Sequence, residues 1–509
     1  MHYYLGVDLG TSGTKTVLYS AEGQAVAQHT IEYPMYQPRN GWAEQDPQDW
    51  ANAAFDSIQA VLRKSGVDIR AIKALGISGQ MHGLVMLDEQ GSPLRRSILW
   101  CDGRTGEECR EITARVGQKR LVEISANPAL TGFTAGKILW VRRHEPELYA
   151  RCRKILLPKD YVRFCLTGVY GQDYSDASGT NLLDVGARCW SQEILRALEI
   201  DEEWLPRLYE SAEPVGHISR QAAERCGLSE ETLVVAGAGD NAAAAIGTGI
   251  CSAGKAFITL GTSGVIFAHS DRVIIDPQCR VHTFCSAIPR AWAVMSCTLA
   301  AGLSYRWLRD TVFAKEVEAA AQQGEDPYLW MNRLAEAAPI GANKLLYLPY
   351  LMGERSPLLD EKARGAFVGL SAMHQRGDLA RAVLEGVSYS QKACYDVIRG
   401  MGIDIRELLS CGGGARSPLW RQMLADLLQC EVKTAKASSE GPALGAAILA
   451  GVGCGDFRSI EEACARIIVP DESTLPRAEN TAAYQPYYAL FQGLYPALRQ
   501  SYARLSELE

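Results

Sequence analysis

One five-residue segment stands twice in this chain, as Leu9-Gly10-Thr11-Ser12-Gly13 and again as Leu260-Gly261-Thr262-Ser263-Gly264. Each copy lies between two short apolar runs, residues 4–7 and 16–19 around the first and 256–259 and 265–267 around the second. A β-run, a turn of Gly, Ser and Thr, and a second β-run spell a hairpin. The same hairpin at the head of each half of a long chain predicts two domains on one plan. The turn also has a chemical use. Its glycines let the backbone approach a ligand closely, so that successive N–H groups converge on an anion, while the Ser and Thr hydroxyls add donors. Lys15 adds a positive charge beside the first turn. A single copy reads as an ordinary tight turn, whereas two facing copies read as a clamp on a polyphosphate.

At 509 residues the chain exceeds what one hydrophobic core usually holds. Helical spacing over 50–64 precedes strand-like runs at 71–78 and 84–87. In the second half a helical pattern over 379–400 leads to a strand at 407–410 and a helix at 419–428. This alternation predicts an α/β fold. The expected division is into 1–250 and 251–509, just after an Ala-rich helix over 241–246, and the lack of a linker there predicts a tightly packed hinge. The Tyr-rich stretch 484–505 reads as one amphipathic helix without chemical signal.

Basic residues are scattered and the formal net charge is −7, so there is no electrostatic reason to expect nucleic acid or an anionic membrane as partner. The first residues carry neither a basic leader nor a long apolar stretch, which predicts no signal peptide and a cytoplasmic setting. The most apolar region, 234–267, is interrupted by Asp240 and Lys255 and cannot cross a bilayer as one helix. Fifteen cysteines, odd in number and without a C-x-x-C pair, read as buried reduced thiols rather than a zinc site or a disulfide framework.

Three glycine-bearing strand ends are candidate ligand sites. In Val234-Val235-Ala236-Gly237-Ala238-Gly239-Asp240-Asn241, a β-branched run enters glycines and then an Asp at a helix start. α/β folds bind ligands at such a strand end, and an Asp there also serves as a helix cap. Gly412-Gly413-Gly414 before a helix offers bare backbone to a flat ligand such as a base or ribose, or forms a flexible surface loop. Gly79-Gln80-Met81-His82-Gly83 sets polar atoms between two glycines, although a lone His is more often structural. Asp8 closes the first strand beside the phosphate-type turn, where a carboxylate repels phosphate unless a cation intervenes, so Asp8 is a candidate Mg²⁺ ligand. The matching position in the second copy is Thr259. Phosphoryl transfer to a hydroxyl needs little beyond a phosphate cradle, Mg²⁺ and one carboxylate near the attacking oxygen, and Asp240 is the candidate for that base.

These residues resemble the FGGY carbohydrate kinases, a family of the actin/hexokinase/Hsp70 fold group, over nearly the whole chain. Asp8-Leu9-Gly10-Thr11-Ser12-Gly13 is similar to the family's N-terminal phosphate motif. Gly132-Phe133-Thr134-Ala135-Gly136-Lys137-Ile138-Leu139-Trp140 resembles its first signature, and Gly365-Ala366-Phe367-Val368-Gly369-Leu370 with Ala382-Val383-Leu384-Glu385-Gly386 its second. Within the family the loop at 79–83 is most similar to the sugar-contacting loop of bacterial xylulokinases. Trp100-Cys101-Asp102-Gly103-Arg104, Leu156-Leu157-Pro158-Lys159-Asp160-Tyr161 and Ser175-Asp176-Ala177-Ser178-Gly179-Thr180 fit the same branch.

The resemblance implies two actin-like (ribonuclease H-like) ATPase domains flanking a central cleft, the first mainly binding sugar and the second mainly ATP. It implies ATP and Mg²⁺, a ketose bound by Met81, His82, Asp240, Asn241, Gln80, Asp102 and Arg104, and Asp240 as catalytic base with Asp8 as the second catalytic residue. Asp8 and Asp240 would form the metal site. Thr11, Ser12, Gly13, Lys15, Gly261, Thr262 and Ser263 would serve the phosphates, and Gly413 and Gly414 the adenosine. The implied reaction is phosphorylation of D-xylulose to D-xylulose 5-phosphate, and a homodimer is compatible with the family. Other pentuloses, pentitols, a deoxy-ketose or gluconate remain as alternative substrates, and an actin- or Hsp70-like ATPase or a non-catalytic sugar sensor as alternatives of another class.

Overall fold

A computed structural model describes residues 2–435 and 441–508. Each half is built on a seven-stranded mixed sheet. In the first, β1 (Tyr3–Leu9) and β2 (Gly13–Ser20) form the expected hairpin, β3 (Ala25–Glu32) extends it antiparallel, and β4 (Ile72–Gly79) lies parallel to β1. β5 (Pro214–His217), β6 (Leu233–Val235) and the two-residue β7 (Ala238–Gly239) complete the sheet. Its order is β5-β6-β4-β1-β2-β3, with β7 on the end of β4.

The second sheet contains β8 (Lys255–Leu260), β9 (Gly264–Ser270), β10 (His282–Cys285), β11 (Trp292–Thr298), β12 (Glu407–Cys411), β13 (Glu431–Ala435) and β14 (Pro470–Thr474). Its order is β10-β11-β9-β8-β12-β13-β14. The hairpin β1–β2 therefore corresponds to β8–β9, and β4 to β12, with every shared pairing in the same sense. The extra edge strand is β10.

Helices fill corresponding places on the two sheets. α1 (Pro47–Ser65) starts where the Asp46 side chain accepts from the Gln48 N–H, with Pro47 at its first position, and ends at the left-handed Gly66. It buries Trp50, Ala54, Ile58 and Val61 against Leu5, Val7, Leu18 and Leu75. α2 (Asp240–Gly247) follows β7. α3 (Arg376–Gly400), the counterpart of α1, sets Val383, Leu384 and Val387 against Ile258 and Ile266. It starts earlier than the apolar pattern predicts because Gln375 and Asp378 form a capping box. α4 (Gly441–Gly453) is the counterpart of α2. The Tyr-rich helix runs over Ala478–Leu505 and buries Tyr484, Tyr488, Phe491 and Tyr502 in the second core. No helix among the described residues is long and apolar enough to cross a membrane.

The halves meet through an exchange of helices. α4, which lies in the chain between β13 and β14 of the second sheet, packs Ala443, Leu444, Ala447 and Ile448 against Tyr4, Val17, Ala74 and Val235 of the first sheet. α2 pairs with α4 through Ala242, Ala243 and Ile246, and turns Ala245 towards Phe257, Phe267 and Leu409 of the second. The layers thus run sheet, α4, α2, sheet. Backbone touches backbone between the first sheet and α4 and between α4 and α2. A Cβ on Gly445 would collide with the Ala243 carbonyl, and Cβ atoms on Gly6 and Gly76 would collide with the Ala443 and Ala446 carbonyls. Gly445→Val is therefore expected to cost about 3 kcal/mol of stability through overpacking, read by denaturant unfolding. Gly400→Ala, where an added Cβ meets nothing within 4 Å, is expected to change it by less than about 0.5 kcal/mol.

Candidate functional site

Three cavities join end to end, two of them lined by both halves and the third by the second half alone. The first, about 770 Å³, is bordered by Met81, His82, Trp100 and Phe133 on one side and by Ser263, Glu354 and Arg355 on the other, with Asp240 and Asn241 also lining it. The second, about 780 Å³, runs from Asp240 and Asn241 past Gly412, Gly413 and Arg416. The third, about 320 Å³, lies among Gly261, Thr262, Tyr305, Tyr328, Gly413, Gly414 and Trp420. Asp240 is common to the first two and Gly413 to the last two, so one cleft of ligand-sized segments passes both.

Asp240 is the first residue of α2, with Gly239 as the capping position. Its side chain does not cap the helix in the manner the Asp-at-a-helix-start pattern suggests. Instead Oδ1 accepts from the backbone N–H of Asn241 at 2.7 Å and from Asn241 Nδ2 at 2.9 Å. Burial at the cleft floor pushes its pKa up to about 6, and the charge of Asp8 adds to the rise against the two Asn241 bonds. Asp8, one residue from the end of β1, lies between Lys15 across the hairpin and Ser78 on β4. Ser78 Oγ donates to Asp8 Oδ1 at 3.2 Å. Burial raises this pKa also to about 6, while Ser78 and Lys15 pull it down. Two desolvated carboxylates within each other's field, with hard oxygen donors, suit a divalent cation such as Mg²⁺.

His82 sits in the left-handed region at φ +68° and stacks on Phe133, ring centroids 4.5 Å apart. Its Nδ1 lies 2.7 Å from the Gly179 carbonyl. A carbonyl only accepts, so Nδ1 carries the proton and Nε2 is left as an acceptor. Burial, helped by the charge of Lys137, holds the imidazole pKa at about 3, so the ring stays neutral. The His82 carbonyl receives Thr134 Oγ1 at 3.0 Å and Lys137 Nζ at 2.8 Å. The Gly132-to-Trp140 motif thereby acts as a clamp on the strained loop. Met81 is buried beside it, its Cγ within 2.9 Å of where a Cβ on Gly239 would stand.

The second glycine turn is braced from behind. The carbonyls of Gly261 and Thr262 accept from the backbone N–H groups of Gly302 at 2.7 Å, and of Ala301 and Leu303 at 3.0 and 3.1 Å. Gly412, at φ +80°, lets the next loop lie against Leu260. Gly414 covers Trp420, and a Cβ on Gly413 would meet nothing within 4 Å. A flat backbone surface thus faces the third cavity, flanked by Tyr305 and Tyr328. In the first turn, Gly10 N–H donates to the Gly13 carbonyl at 3.0 Å, and the Ser12 carbonyl accepts from Tyr33 N–H at 3.3 Å. Thr11 is tied into a network: its Oγ1 accepts from Trp100 Nε1 at 3.0 Å, and its carbonyl from Gln45 Nε2 at 2.7 Å.

Three expected sugar contacts are engaged elsewhere. Gln80 is buried and donates to Gln45 Oε1 at 2.9 Å, within the Thr11 network. Asp102 accepts from Ala43 N–H at 2.6 Å and from Arg104 through both oxygens. Arg104 also pairs with Glu44 and lies over the Trp42 ring at 3.7 Å. Among the described residues none of the three borders the cavity beside His82 and Asp240. Conversely, Glu354 and Arg355 line that cavity and were absent from the motif reading. Burial drives the Glu354 pKa up to about 8 while it accepts from Leu299 and Arg355 N–H groups. A Gly-Glu-Arg triplet directly after the apolar pair Leu351-Met352 was the available signal.

The model of the FGGY family of carbohydrate kinases, N-terminal domain, matches residues 3–247, and the C-terminal domain model matches residues 256–454. The chain is 41% identical to the xylulose kinase of Escherichia coli (strain K12) over 498 residues, 97% of this chain and 99% of that protein. A solved xyloylose kinase from Brucella ovis shares the fold at TM-score 0.91 and 37% identity, covering 98% of this chain and 100% of its own. A gluconate kinase from Lactobacillus acidophilus does so at TM-score 0.91 and 28% identity, covering 99% of each. With both halves matched and the cleft between them in place, the chain belongs to the FGGY family of carbohydrate kinases.

Proposed function

We propose that this sugar kinase transfers the γ-phosphoryl group of ATP to the terminal hydroxyl of D-xylulose, giving D-xylulose 5-phosphate. The observation that carries the reading is the position of Asp240, bordering both the His82 cavity and the glycine-lined one. The identity to the Escherichia coli xylulose kinase supports the choice of sugar, and the likeness to a gluconate kinase makes gluconate the competitor to test.

In this reading the ketose lies in the first cavity, with a hydroxyl donating to His82 Nε2 and others meeting Met81 and Asn241. Adenosine lies on Gly413 and Gly414 beside Trp420, and the phosphates run past Gly261, Thr262 and Ser263 towards the first turn at Thr11, Ser12, Gly13 and Lys15. Asp8 and Asp240 would hold Mg²⁺, which when bound neutralises charge on the phosphate oxygens. Closure of the cleft excludes water and aligns the groups. Asp240 takes the proton of the attacking hydroxyl as its oxygen bonds to the γ-phosphorus, and the bond from that phosphorus to the β-phosphate bridging oxygen breaks to release ADP.

A coupled ADP-release assay with ATP, Mg²⁺ and a panel of pentuloses, pentitols and gluconate is expected to give D-xylulose much the highest kcat/KM. A different best sugar would overturn the substrate assignment and leave the kinase. Asp240→Ala is expected to lower turnover by about 10²–10⁴-fold, the usual worth of a general base, while ATP binding by calorimetry survives. The pH profile carries its own sign. The base must be deprotonated and its pKa is raised to about 6, so kcat/KM is expected to fall as pH drops through about 6 and to level off above 7.

A further inference from the structure

The segment from Asp173 to Thr180 includes a motif that makes no direct contribution to the chemistry above, yet it is hydrogen-bonded to His82, to the residue before Asp240 and to the other half. Ser175 Oγ accepts from the Gly239 N–H at 3.0 Å, immediately before Asp240. The Gly179 carbonyl receives His82 Nδ1, and Ser178 Oγ accepts from Cys285 N–H at 3.1 Å on β10 of the other half.

The Ser175 hydroxyl is held in one orientation. It donates to Asp173 Oδ2, a carboxylate oxygen that can only accept, so its lone pair faces Gly239. Asp173 is fixed in turn. Its Oδ2 also accepts from Ser175 N–H at 2.8 Å and Ser211 Oγ at 3.0 Å, and its Oδ1 pairs with Lys159 Nζ at 2.7 Å. Lys159 reaches Asp160 at 2.7 Å and Asp176 at 3.3 Å, and Arg163 joins Asp160 at 3.0 Å. All five of these charged side chains are fully buried. Arg163 also donates to the Ala236 carbonyl at 2.9 Å. The backbone leading into α2 is therefore tethered at Ala236 and at Gly239 to one ionic cluster in the core. A buried cluster of this kind favours a single arrangement, because any displacement leaves charges unpaired.

We propose that Ser175, oriented by Asp173 and the Lys159 cluster, is a positioning residue that sets where Asp240 stands relative to the sugar. The inference rests on Asp240 being the base. Ser175 touches neither sugar nor nucleotide in that arrangement, so its loss acts on the rate step and leaves binding in place. Misplacement by about 1 Å can cost on the order of 10²-fold in rate.

The test is Ser175→Ala in the full chain, with kcat and both KM values from the ADP-release assay, melting temperature, and hydrogen–deuterium exchange of the peptide spanning 236–242. The expected result is a kcat lowered at least about 10-fold, KM for D-xylulose and ATP within about threefold, and faster exchange at 236–242 with an unchanged melt. Ser175→Thr, which keeps the hydroxyl, is expected to recover most of kcat. If Ser175→Ala folds poorly, Ser175→Cys, a similar shape with a weak acceptor, is expected to give the same split. Unchanged exchange at 236–242 overturns the tether. Faster exchange with unchanged kcat overturns the positioning role while leaving the base assignment standing. A raised KM for D-xylulose with unaltered kcat overturns it too, assigning Ser175 to binding. Near-normal turnover by Asp240→Ala removes the base assignment, and the inference with it.

Discussion

The fold depends on direct backbone contact between helices and sheets at its centre. α4 can lie on the first sheet, and α2 on α4, only because Gly6, Gly76 and Gly445 present no side chain where the chains meet. The small residues Ala443 and Ala447 keep the same seam narrow. The helix pair lies between two sheets of matching topology, and Asp240 is the first residue of one of its members. Thus the contact that joins the halves also sets the depth of the carboxylate between the cavities. Packing and site geometry are one arrangement.

Electrostatics in the cleft follow from that depth. Burial raises the pKa values of Asp8 and Asp240 towards neutrality, and the charge of Asp8 adds to the rise at Asp240. His82 responds to the same desolvation in the opposite direction and stays neutral. Its tautomer is set by the Gly179 carbonyl, so burial and one hydrogen bond together leave an acceptor on the ring. Behind this wall, the buried cluster of Lys159, Arg163, Asp160, Asp173 and Asp176 holds the backbone from which Asp240 extends. The charged side chains of the core serve the shape of the site rather than its contacts with ligand.

Much of this architecture was legible in the residues. The repeated turn, the strand at Ile72–Gly79 and the helix at Pro418–Leu428 follow from local periodicity and glycine placement, which the tertiary structure leaves intact. That His82 and Asp240 border the cleft follows a local pattern, each standing at a strand or helix end with a glycine neighbour. Gln80, Asp102 and Arg104, polar residues inside motifs, are held by partners distant in sequence, here Gln45, Ala43 and Glu44, which no local pattern indicates. Glu354 and Arg355 escaped for the converse reason: their strand-free loop has no periodicity, and only the fold brings it opposite His82. Nor did any local pattern indicate that α2 and α4 lie across from their own strands.

That exchange bears on how the chain is made. The face of the first sheet that α4 covers includes Tyr4, Val17, Ala74 and Val235. A ribosome adds all four of these residues before the chain is half made, and the helix that shields them, α4, belongs to the second half. The covering segment ends at Gly453, late in a chain of 509 residues. During most of synthesis this apolar face must therefore stay open, be covered provisionally, or be held by a chaperone. The first half of this enzyme is completed only by the last part of the second.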